Sequence, residues 1–436
     1  MNRSLLFKEI RSRKLYLAVE LNGKKEEFFM LSVTELSNLA QDCSCGNDHF
    51  ECRIEEIVVS HDALEQASSY MRSKSYRKVS IVADKITFNV AGQKLSDALN
   101  ASNVKTEVVL IQPNEQGDVI ANEISLIEAM LGISQDSEVV IAVGSGTIHD
   151  ITRFSSFKMG KPFISVPTAP SVDGFNSMGA PVVIKGVKTT YQMQSPIAIF
   201  ADLTILKEAP QEMIAAGFGD MLAKFTSLAD WRFSHLTAGE PYCSLSATIT
   251  EASLKKCVDN VDLIAAANEE GIRILIESLI ESGLAMLLVG HSSPASGGEH
   301  HLSHYWEMEF LKQDKPQVLH GAKVGVSTQL ILKLYKNDVK DLISNSTRLA
   351  ELKDKQKEII SAILEKQEEI QKVIDSLPNA DTVEDLLNKV KGPTQPSDLK
   401  IDAELVQNSL NEAHFLRNRY TMLKFWNELV GTHHVI

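Results

Sequence analysis

Four histidines stand close together in the sequence, at His300, His301, His304 and His320. Only 12 of the 436 residues are histidine, so this grouping indicates a shared role. A helix would place His300 and His304 on one face, because they are four residues apart. A divalent metal prefers neutral imidazoles together with a carboxylate, and Asp220 with two of these histidines would form such a site. The spacing leaves open which two bind, and Asp220 could instead only cap a helix.

The pair His300 and His304 does not form the HExxH motif of metalloproteases. No glutamate follows the first histidine, and Glu299 precedes the pair instead. A metalloprotease is therefore not expected. The alternative to a metal site is that these histidines are helix caps or core residues.

A glycine-containing turn follows an apolar run in VVIAVGSGTIHDITRF (139–154). The run predicts a buried strand that ends in Gly144, Ser145, Gly146 and Thr147 and leads into a helix. Glycines in such a turn let backbone N–H groups approach a phosphate, and the helix N-terminus favours negative charge. The turn is not the GxGxxG fingerprint, because His149 occupies the third glycine position. A plain strand-to-helix turn is the alternative interpretation.

Two further strand ends carry polar residues. The next predicted strand leads into VPTAPSVDGFNS (166–177), which is rich in hydroxyl groups and contains Asp173. Asp84 ends the run KVSIVAD, where a carboxylate could accept a hydrogen bond from a ribose hydroxyl or could simply belong to a turn. Neighbouring phosphate-type loops at strand ends predict a dinucleotide site.

The elements that position these residues change character along the chain. Strand-like runs alternate with helical segments from about 54 to 205: IEEIVVS, KVSIVAD, KTEVVLI, SEVVIAVG and PFISVPT, with helices over 62–73, 92–101 and 121–131. This alternation is typical of a parallel sheet built from βαβ units. Residues 206–436 read as helices only. We therefore expect a leader at 1–53, in which LYLAVEL and EEFFML form a hairpin. An α/β nucleotide-binding domain is expected at 54–205 and a helical metal- and substrate-binding domain at 206–436. A cleft is expected between these two domains.

Composition narrows the function classes. The chain has 44 Lys+Arg against 57 Asp+Glu, a formal net charge of −13. That balance argues against nucleic-acid wrapping and against a polybasic membrane anchor, but not against a small anionic substrate. No segment is long and apolar enough to span a membrane, and the N-terminus does not resemble a secretory signal. Five cysteines are an odd and sparse count for a secreted disulfide framework, so a reducing cytoplasm is the expected compartment.

Three of the five cysteines lie in CSCGNDHFEC, at Cys43, Cys45 and Cys52, with His49 between them. These side chains could ligate structural zinc. The spacing fits no standard zinc knuckle, however, and no second ligand pair is evident elsewhere in the sequence. A solvent-facing hairpin tip is the favoured interpretation.

Five motifs in order resemble one enzyme family: VGSGTIHD, PTAPSVDGFNS, AAGFGDMLAK, ASGGEHHLSH and LHGAKVG. Together they are similar to the longer bacterial form of the sn-glycerol-1-phosphate dehydrogenases. These enzymes lie within the metal-dependent alcohol dehydrogenase and dehydroquinate-synthase-like superfamily. The resemblance runs from about residue 54 to 335, so it covers the leader and the last hundred residues only weakly.

The resemblance implies specific roles for residues. It assigns Asp220, His300 and His320 to the metal, and it places Asp173 and His304 at the substrate, which Asp220 would also touch. Lys224 is a further candidate, for the substrate phosphate, and Asp84 is directed toward the adenosine ribose. The implied NAD(P)-binding residues are Gly144, Ser145, Gly146, Thr147, Ile148, His149, Asp150, Thr168, Ala169, Pro170, Ser171 and Ser177.

The implied reaction is reduction of dihydroxyacetone phosphate to sn-glycerol 1-phosphate. A zinc or nickel ion would polarise the C2 oxygen while the nicotinamide delivers hydride, and His304 would relay a proton or orient the hydroxyl. Asp84 mildly favours NAD over NADP. The resemblance also implies a homodimer. A glycerol or other polyol dehydrogenase, a cyclase like dehydroquinate synthase and a non-catalytic regulator remain as alternatives.

Overall fold

The computed structural model describes residues 30–352 and 354–431. Apart from Met30 and Leu31, the expected N-terminal hairpin lies outside these residues. Met30 and Leu31 themselves belong to no strand.

Six parallel strands form the sheet predicted for the first half of the chain, in the order β1-β8-β5-β4-β2-β3. Their bounds are β1 Glu56–Ser60, β2 Lys78–Ala83, β3 Lys105–Leu110, β4 Val139–Gly144, β5 Phe163–Pro167 and β8 Ala198–Asp202. Every residue of β4, β5 and β8 is buried, as in a parallel sheet with helices on both faces. Along β4, alternate residues enter two different core clusters, one on each face of the sheet.

Helices connect and cover these strands: α2 Ala63–Ser73, α3 Lys85–Thr87, α4 Gln93–Ala101, α5 Glu123–Gly132 and α6 Gly146–Lys158. A short π-helical turn, Phe88–Gly92, joins α3 to α4. The strands and helices predicted between 54 and 168 are therefore confirmed.

An antiparallel hairpin and the strand β8 are absent from the sequence-based expectations. The hairpin pairs β6 Gly179–Ile184 with β7 Val187–Gln192. Lys185 and Gly186 both have positive φ angles, 52° and 72°, as a type I′ turn requires. Five of the six residues of β7 are exposed, so the strand lacks the apolar pattern by which strands are recognised.

The rest of the described chain after β8 is helical, as predicted. Its helices are α7 Leu203–Leu206, α8 Gln211–Leu222, α9 Lys224–Ala238, α10 Ser244–Asp259, α11 Val261–Ala265, α12 Glu269–Val289, α13 Gly298–Lys312, α14 His320–Leu334, α15 Lys340–Ser344, α16 Ser346–Glu351, α17 Lys357–Glu365, α18 Gln367–Asp375, α19 Ala380–Lys389, α20 Ala403–Glu412 and α21 Met422–Leu429. Between residues 30 and 431, no described helix is long and apolar enough to cross a membrane.

Residues 30–55 pack against the helical half. Helix α1, Val33–Gln41, begins at a Ser32 capping box and buries Leu36 in the same core cluster as α12 and α14. The following residues up to β1 form an irregular loop without a strand. The expected hairpin tip at Cys43–Cys52 is therefore wrong, because the Phe50 N–H bonds to the Leu288 carbonyl at the end of α12, 3.0 Å away, and not to a neighbouring strand.

Candidate active site

Two helices of the second half cross at a glycine contact. A Cβ atom on Gly321, near the start of α14, would lie 1.9 Å from the Ala216 carbonyl oxygen on α8, and one on Gly219 would lie 2.6 Å from the Gly321 carbonyl oxygen. Only hydrogen fits in these places, so α8 and α14 approach more closely than other residues would allow. This contact brings Asp220 next to His320, the first residue of α14.

Helix α13 supplies the remaining members of the cluster. Candidate ligand atoms of Asp220, His300 and His320 all lie within 4.8 Å of one another. His300 Nε2 is 3.6 Å from Asp220 Oδ1, and the His304 ring centroid is 5.6 Å from that of His320. His301 is fully buried, and among the described residues neither of its ring nitrogens has a hydrogen-bond partner. Of the four histidines, the structure therefore groups His300 and His320 with Asp220.

The chemistry of this trio fits a divalent cation. His300 Nδ1 donates to Glu299 Oε1 at 2.8 Å, which leaves Nε2 free to face Asp220. Such a carboxylate behind an imidazole fixes the ring and raises its basicity as a ligand. Burial lowers the pKa of His300 and of His320 well below the usual range, so both rings are neutral and can donate a lone pair.

Beneath the trio lies a buried network of opposite charges. Asp220 Oδ2 accepts the backbone N–H of Asp173 at 2.9 Å, and Asp173 Oδ2 accepts the Ser282 hydroxyl at 2.7 Å. Lys224 Nζ lies 2.7 Å from Asp173 Oδ2 and 3.3 Å from Asp220 Oδ1. Burial is the main cause that raises the pKa of Asp220 to about 7, and the nearby Asp173 carboxylate acts in the same direction. A bound cation would reverse that penalty by favouring the ionised carboxylate.

The position of Lys224 bears on its predicted contact with a substrate phosphate. Its side chain is fully buried and also donates to the Ala295 carbonyl at 3.3 Å. It does not line the cleft, and its ammonium group is paired with the two aspartates. The contact with a substrate phosphate stays a prediction.

A cleft of about 350 Å³ lies beside the trio and is lined by both halves of the chain. From the sheet half come Ser145, Gly146, Thr147, Asp150, Ser171, Asp173, Ser177 and Lys188; from the helical half come His291, Ser292, Ser296, His300, His304, Glu307, His320, Lys323 and Arg417, among others. The cleft predicted between the halves is thus present, and both the glycine turn and two members of the trio, His300 and His320, line it.

The glycine turn has the features of an anion site. Helix α6 starts at Gly146, and the preceding Ser145 makes no side-chain capping hydrogen bond to it. The first N–H groups of α6 are therefore open to a phosphate. Ile148 and His149 are buried and do not line the cleft.

His149 instead fastens this turn to the sheet. Its Nδ1 pairs with the Ser145 carbonyl at 2.8 Å and its Nε2 with the Ser165 hydroxyl of β5 at 2.7 Å. Complete burial lowers the pKa of His149 to about 3. The residue that breaks the GxGxxG pattern thus positions the turn.

The second predicted loop lies beside the first. The Thr168 N–H donates to the Gly144 carbonyl at 3.0 Å, which holds the segment Thr168, Ala169, Pro170 and Ser171 next to the end of β4. Of these four residues only Ser171 lines the cleft, and Ser177 lines it further along.

Asp84 lies one strand away from the glycine turn. Val82 of β2 pairs with Ala142 of the neighbouring strand β4; Asp84 directly follows β2, and Gly144 ends β4. The Asp84 carboxylate caps α3 by accepting the Thr87 N–H at 2.8 Å, and it does not line the cleft. Its predicted contact with ribose stays a prediction.

Sequence reasoning missed two arginines. Arg153, fully buried on α6, donates to the carbonyls of Gly174, Phe175 and Gly179 at 2.6–2.9 Å and so shapes the loop that carries Asp173. Arg417 lines the cleft and donates to Ser296 at 3.0 Å and to His304 Nδ1 at 3.3 Å. No described carboxylate forms an ion pair with Arg417.

No local pattern marks either arginine. Arg153 lies within a helix that the sequence predicts, yet its partners are backbone carbonyls that composition does not reveal. Arg417 lies between α20 and α21, far along the sequence from every motif.

A pair of lysines adds positive charge to the same wall of the cleft. Lys188 on β7 and Lys323 on α14 lie 2.7 Å and 3.2 Å from the Glu307 carboxylate. The two ammonium groups hold the pKa of Glu307 below its usual range, although burial acts in the opposite direction. Two cations against one anion leave a net positive charge here.

Comparison with known proteins agrees with this geometry. Residues 58–210 match the family model described as iron-containing alcohol dehydrogenase. A glycerol-1-phosphate dehydrogenase (NAD(P)+) from Geobacillus stearothermophilus is 52% identical over 404 residues, which are 92% of this chain and 98% of that protein. A protein of the same name from Pyrococcus furiosus is 30% identical over 374 residues, 84% of this chain and 92% of its own length.

The chain belongs to the glycerol-1-phosphate dehydrogenase family. The resemblance inferred from five motifs is confirmed.

Solved structures support the same fold at much lower identity. A probable glycerol dehydrogenase from Sinorhizobium meliloti superimposes with a TM-score of 0.61 at 14% identity, over 88% of this chain and 93% of that one. A putative alcohol dehydrogenase from Ralstonia eutropha gives a TM-score of 0.62 at 13% identity, over 89% of this chain and 99% of that one. The expected fold class, a parallel-sheet domain followed by a helical domain, is confirmed.

Proposed function

We propose that this member of the family catalyses the NAD(P)-dependent interconversion of dihydroxyacetone phosphate and sn-glycerol 1-phosphate. The observation that carries the proposal is the shared cleft. It joins the cation-binding trio Asp220, His300 and His320 to the open N-terminus of α6 and to Arg417. A cation, a dinucleotide and a phosphorylated triose each find suitable groups there.

The residues that would hold the cofactors come from different halves of the chain. Asp220, His300 and His320 would hold zinc or nickel, which would polarise the substrate oxygen at C2. Residues 144–147, Asp150, Ser171 and Ser177 would hold the NAD(P) phosphates and the nicotinamide half. NAD is preferred to NADP in this proposal, because Asp84 ends the neighbouring strand.

The substrate would lie between these two groups. Asp173 is anchored by Lys224 and Ser282 and would orient the hydroxyl groups. His304 faces the cleft and would move a proton at the C2 oxygen; burial lowers its pKa, so its ring is neutral in the free enzyme. Arg417 takes the role first assigned to Lys224, because a guanidinium without a carboxylate partner can bind phosphate through two hydrogen bonds.

The positive wall of the cleft favours this substrate over an uncharged polyol. A glycerol dehydrogenase has no need for Arg417, Lys188 and Lys323 around the substrate. The phosphate of a triose phosphate would form charged hydrogen bonds that offset the free-energy cost of removing water from these groups. Glycerol would leave the Arg417 guanidinium without an anionic partner.

Metal removal and replacement tests the proposal. The enzyme is treated with a chelator and assayed for NADH oxidation with dihydroxyacetone phosphate, before and after addition of nickel or zinc. We expect activity to disappear with the chelator and return with the metal. Glycerol with NAD is the matched control and should be turned over poorly. Preference for glycerol, or oxidation that needs no metal, would contradict the proposal, and turnover without net change in NADH would indicate a cyclase.

We also propose that the protein is cytoplasmic and that its domain boundaries lie at about residues 53 and 205.

We propose further that two copies of the chain form a homodimer, and one exposed surface supports this. Ile124, Ile127 and Leu131 form an apolar row on the outer face of α5 and are 76%, 52% and 82% exposed. A second copy of the chain is the occupant we propose for this row, since exposed apolar side chains that adjoin on one helix face favour association.

A further inference from the structure

A second group of potential metal ligands lies outside the cleft. The loop before β1 brings Cys43, Cys45 and His49 to Cys243, which precedes α10. One ligand atom from each of the four lies within 4.8 Å of all the others. None of the four lines the cleft, and all the described cysteines are free thiols.

The distances match the edges of a zinc-centred tetrahedron. His49 Nε2 is 3.4 Å from Cys45 Sγ and 3.3 Å from Cys243 Sγ, and Cys43 Sγ is 3.9 Å from Cys243 Sγ. Zn–S bonds of about 2.3 Å and Zn–N bonds of about 2.0 Å give tetrahedral edges of roughly 3.5–3.8 Å. We propose that Cys43, Cys45, His49 and Cys243 bind one structural zinc ion.

The loop presents its ligands as a zinc-binding turn does. The side chains of Cys43, Cys45 and His49 are partly buried, whereas the intervening Gly46 and Asp48 are exposed. Gly46 has a φ angle of +80°, which lets the chain turn back after Cys45. Cys243 lies far along the sequence from Cys43, Cys45 and His49. The cysteine spacing within the loop therefore fits no standard zinc knuckle.

Backbone and amide donors around the sulfur atoms favour thiolates. The Ser246 N–H at the start of α10 points at Cys243 Sγ, 3.4 Å away, so the helix N-terminus faces this sulfur. Asn47 donates its backbone N–H to Cys45 Sγ at 3.5 Å, and its side-chain amide donates to the Tyr242 carbonyl at 2.9 Å. The same asparagine thus ties the loop to the residue next to Cys243.

The donor set selects the ion and its role. Three thiolates and one imidazole are soft ligands suited to zinc, and four protein ligands leave no position for a substrate. The ion would therefore join residues 43–49 to α10 and take no part in the reaction. This inference does not depend on the proposed function.

The joined loop supports a wall of the cleft. Phe50 lies against Gly290, where a Cβ atom would be 2.1 Å from its ring. Trp231 packs between Tyr242 and His291, with ring centroids 4.7 Å and 5.8 Å apart. Gly290 and His291 both line the cleft, so the zinc-bound loop lies directly behind them.

Cobalt substitution distinguishes this ion from the one in the cleft. The whole enzyme is stripped of metal and reloaded with Co²⁺ under reducing conditions, and its near-ultraviolet spectrum is recorded. Of the two proposed metal sites, only the cysteine cluster offers thiolates, because the trio consists of Asp220, His300 and His320. We expect a thiolate-to-cobalt charge-transfer band that persists in a variant carrying Asp220→Ala and His300→Ala.

Variants of the cluster then locate the ion. Cys43→Ser with Cys45→Ser should remove the band and lower the zinc content of the enzyme by one equivalent per chain, measured by elemental analysis. Cys52→Ser is the matched control, since Cys52 lies in the same loop outside the group, and it should retain both. If the double variant fails to fold, the wild-type spectrum and metal content decide. A wild-type enzyme without the band, a disulfide between cluster cysteines, or the visible spectrum of an iron–sulfur cluster would overturn the proposal.

Discussion

At the scale of single residues, the cleft depends on a few charged side chains with specific partners. Lys224 pairs with Asp173 and Asp220, whereas the hydrogen bonds of Arg417 within the described chain go to neutral groups, the Ser292 and Ser296 hydroxyls and His304. Both side chains are cations near the same site, but their partners make them differ in their ability to bind a phosphate. A cation that is already paired with carboxylates binds a phosphate weakly, whereas one surrounded by hydroxyl groups can bind it strongly.

Replacement of Arg417 by methionine should raise the KM for dihydroxyacetone phosphate about 10- to 100-fold, because a charged hydrogen bond contributes about 1.5–3 kcal/mol. The KM for NADH should change little. Steady-state kinetics with each substrate varied in turn measures both values. Arg72→Met, on the exposed surface of α2, is the control. An unchanged KM for the triose phosphate would remove Arg417 from the phosphate site.

At the scale of elements, the site exists because helices approach one another closely and because turns are fastened to the sheet. The trio uses one residue from each of α8, α13 and α14. The motifs predicted these residues and their helices. They did not predict the glycine contact between α8 and α14, because which helix faces which is decided by packing across the whole domain.

Gly321→Ala should separate α8 from α14, because its Cβ atom would meet the Ala216 carbonyl, which is backbone and cannot rotate away. We expect metal affinity to fall at least 10-fold and thermal stability to drop. Gly325→Ala on the same helix meets the flexible Leu387 side chain at 3.1 Å and the Gly219 Cα atom of α8 at 3.2 Å, a much looser approach than 1.9 Å, and should have a milder effect. Metal titration and thermal unfolding compare the two; equal effects would argue against the contact as the determinant.

The fastening of the glycine turn by His149 makes it sensitive to acid. Its pKa is about 3 in the folded chain and near 6.5 unfolded, so the unfolded state binds more protons below about pH 6.5. The stability that depends on neutral His149 is thus present above that pH and is lost as pH falls. Between pH 7 and pH 5 this loss is about 2 kcal/mol.

His149→Gln removes the titrating group and keeps a side chain able to donate and accept hydrogen bonds. We expect the variant to lose less free energy of unfolding than the wild type between pH 7 and pH 5, by about 2 kcal/mol. Urea unfolding at both values provides the comparison, with Lys158→Gln on the same helix as control. Parallel pH profiles for wild type and His149→Gln would refute the assignment.

At the scale of the whole molecule, the proposed dimer rests on the row Ile124, Ile127 and Leu131. Ile127→Glu with Leu131→Glu places two charges in that row and should shift the sedimenting species from dimer to monomer, because charges are poorly tolerated in the core of an interface. Ile86→Glu is the control, since Ile86 is 75% exposed on a different helix. A doubly substituted chain that stays dimeric would place the contact elsewhere.

How far the sequence predicts this molecule depends on whether a feature is local. Strands β1 to β5 and helix α13 follow from apolar runs and histidine spacing, which are local patterns. The strand β7 is mostly exposed, and Arg153 and Arg417 act on partners brought together only by the fold. Cys243 is also such a case: it completes the cysteine cluster from a distant part of the sequence, which is why the loop alone suggested a hairpin tip.

The order of strands in the sheet also bears on how the chain is made. Among the described strands, β1 lies at an edge of the sheet and pairs only with β8, Glu56 opposite Ala198. The strands β2, β3, β4 and β5 pair with one another, and β5 also pairs with β8. During synthesis from the N-terminus, these four strands can associate first, whereas the described partner of β1 is made only when β8 has emerged from the ribosome. The apolar residues of β1 are consequently exposed longest in the nascent chain, and premature release before residue 198 would yield a fragment with an unpaired strand that is prone to aggregate.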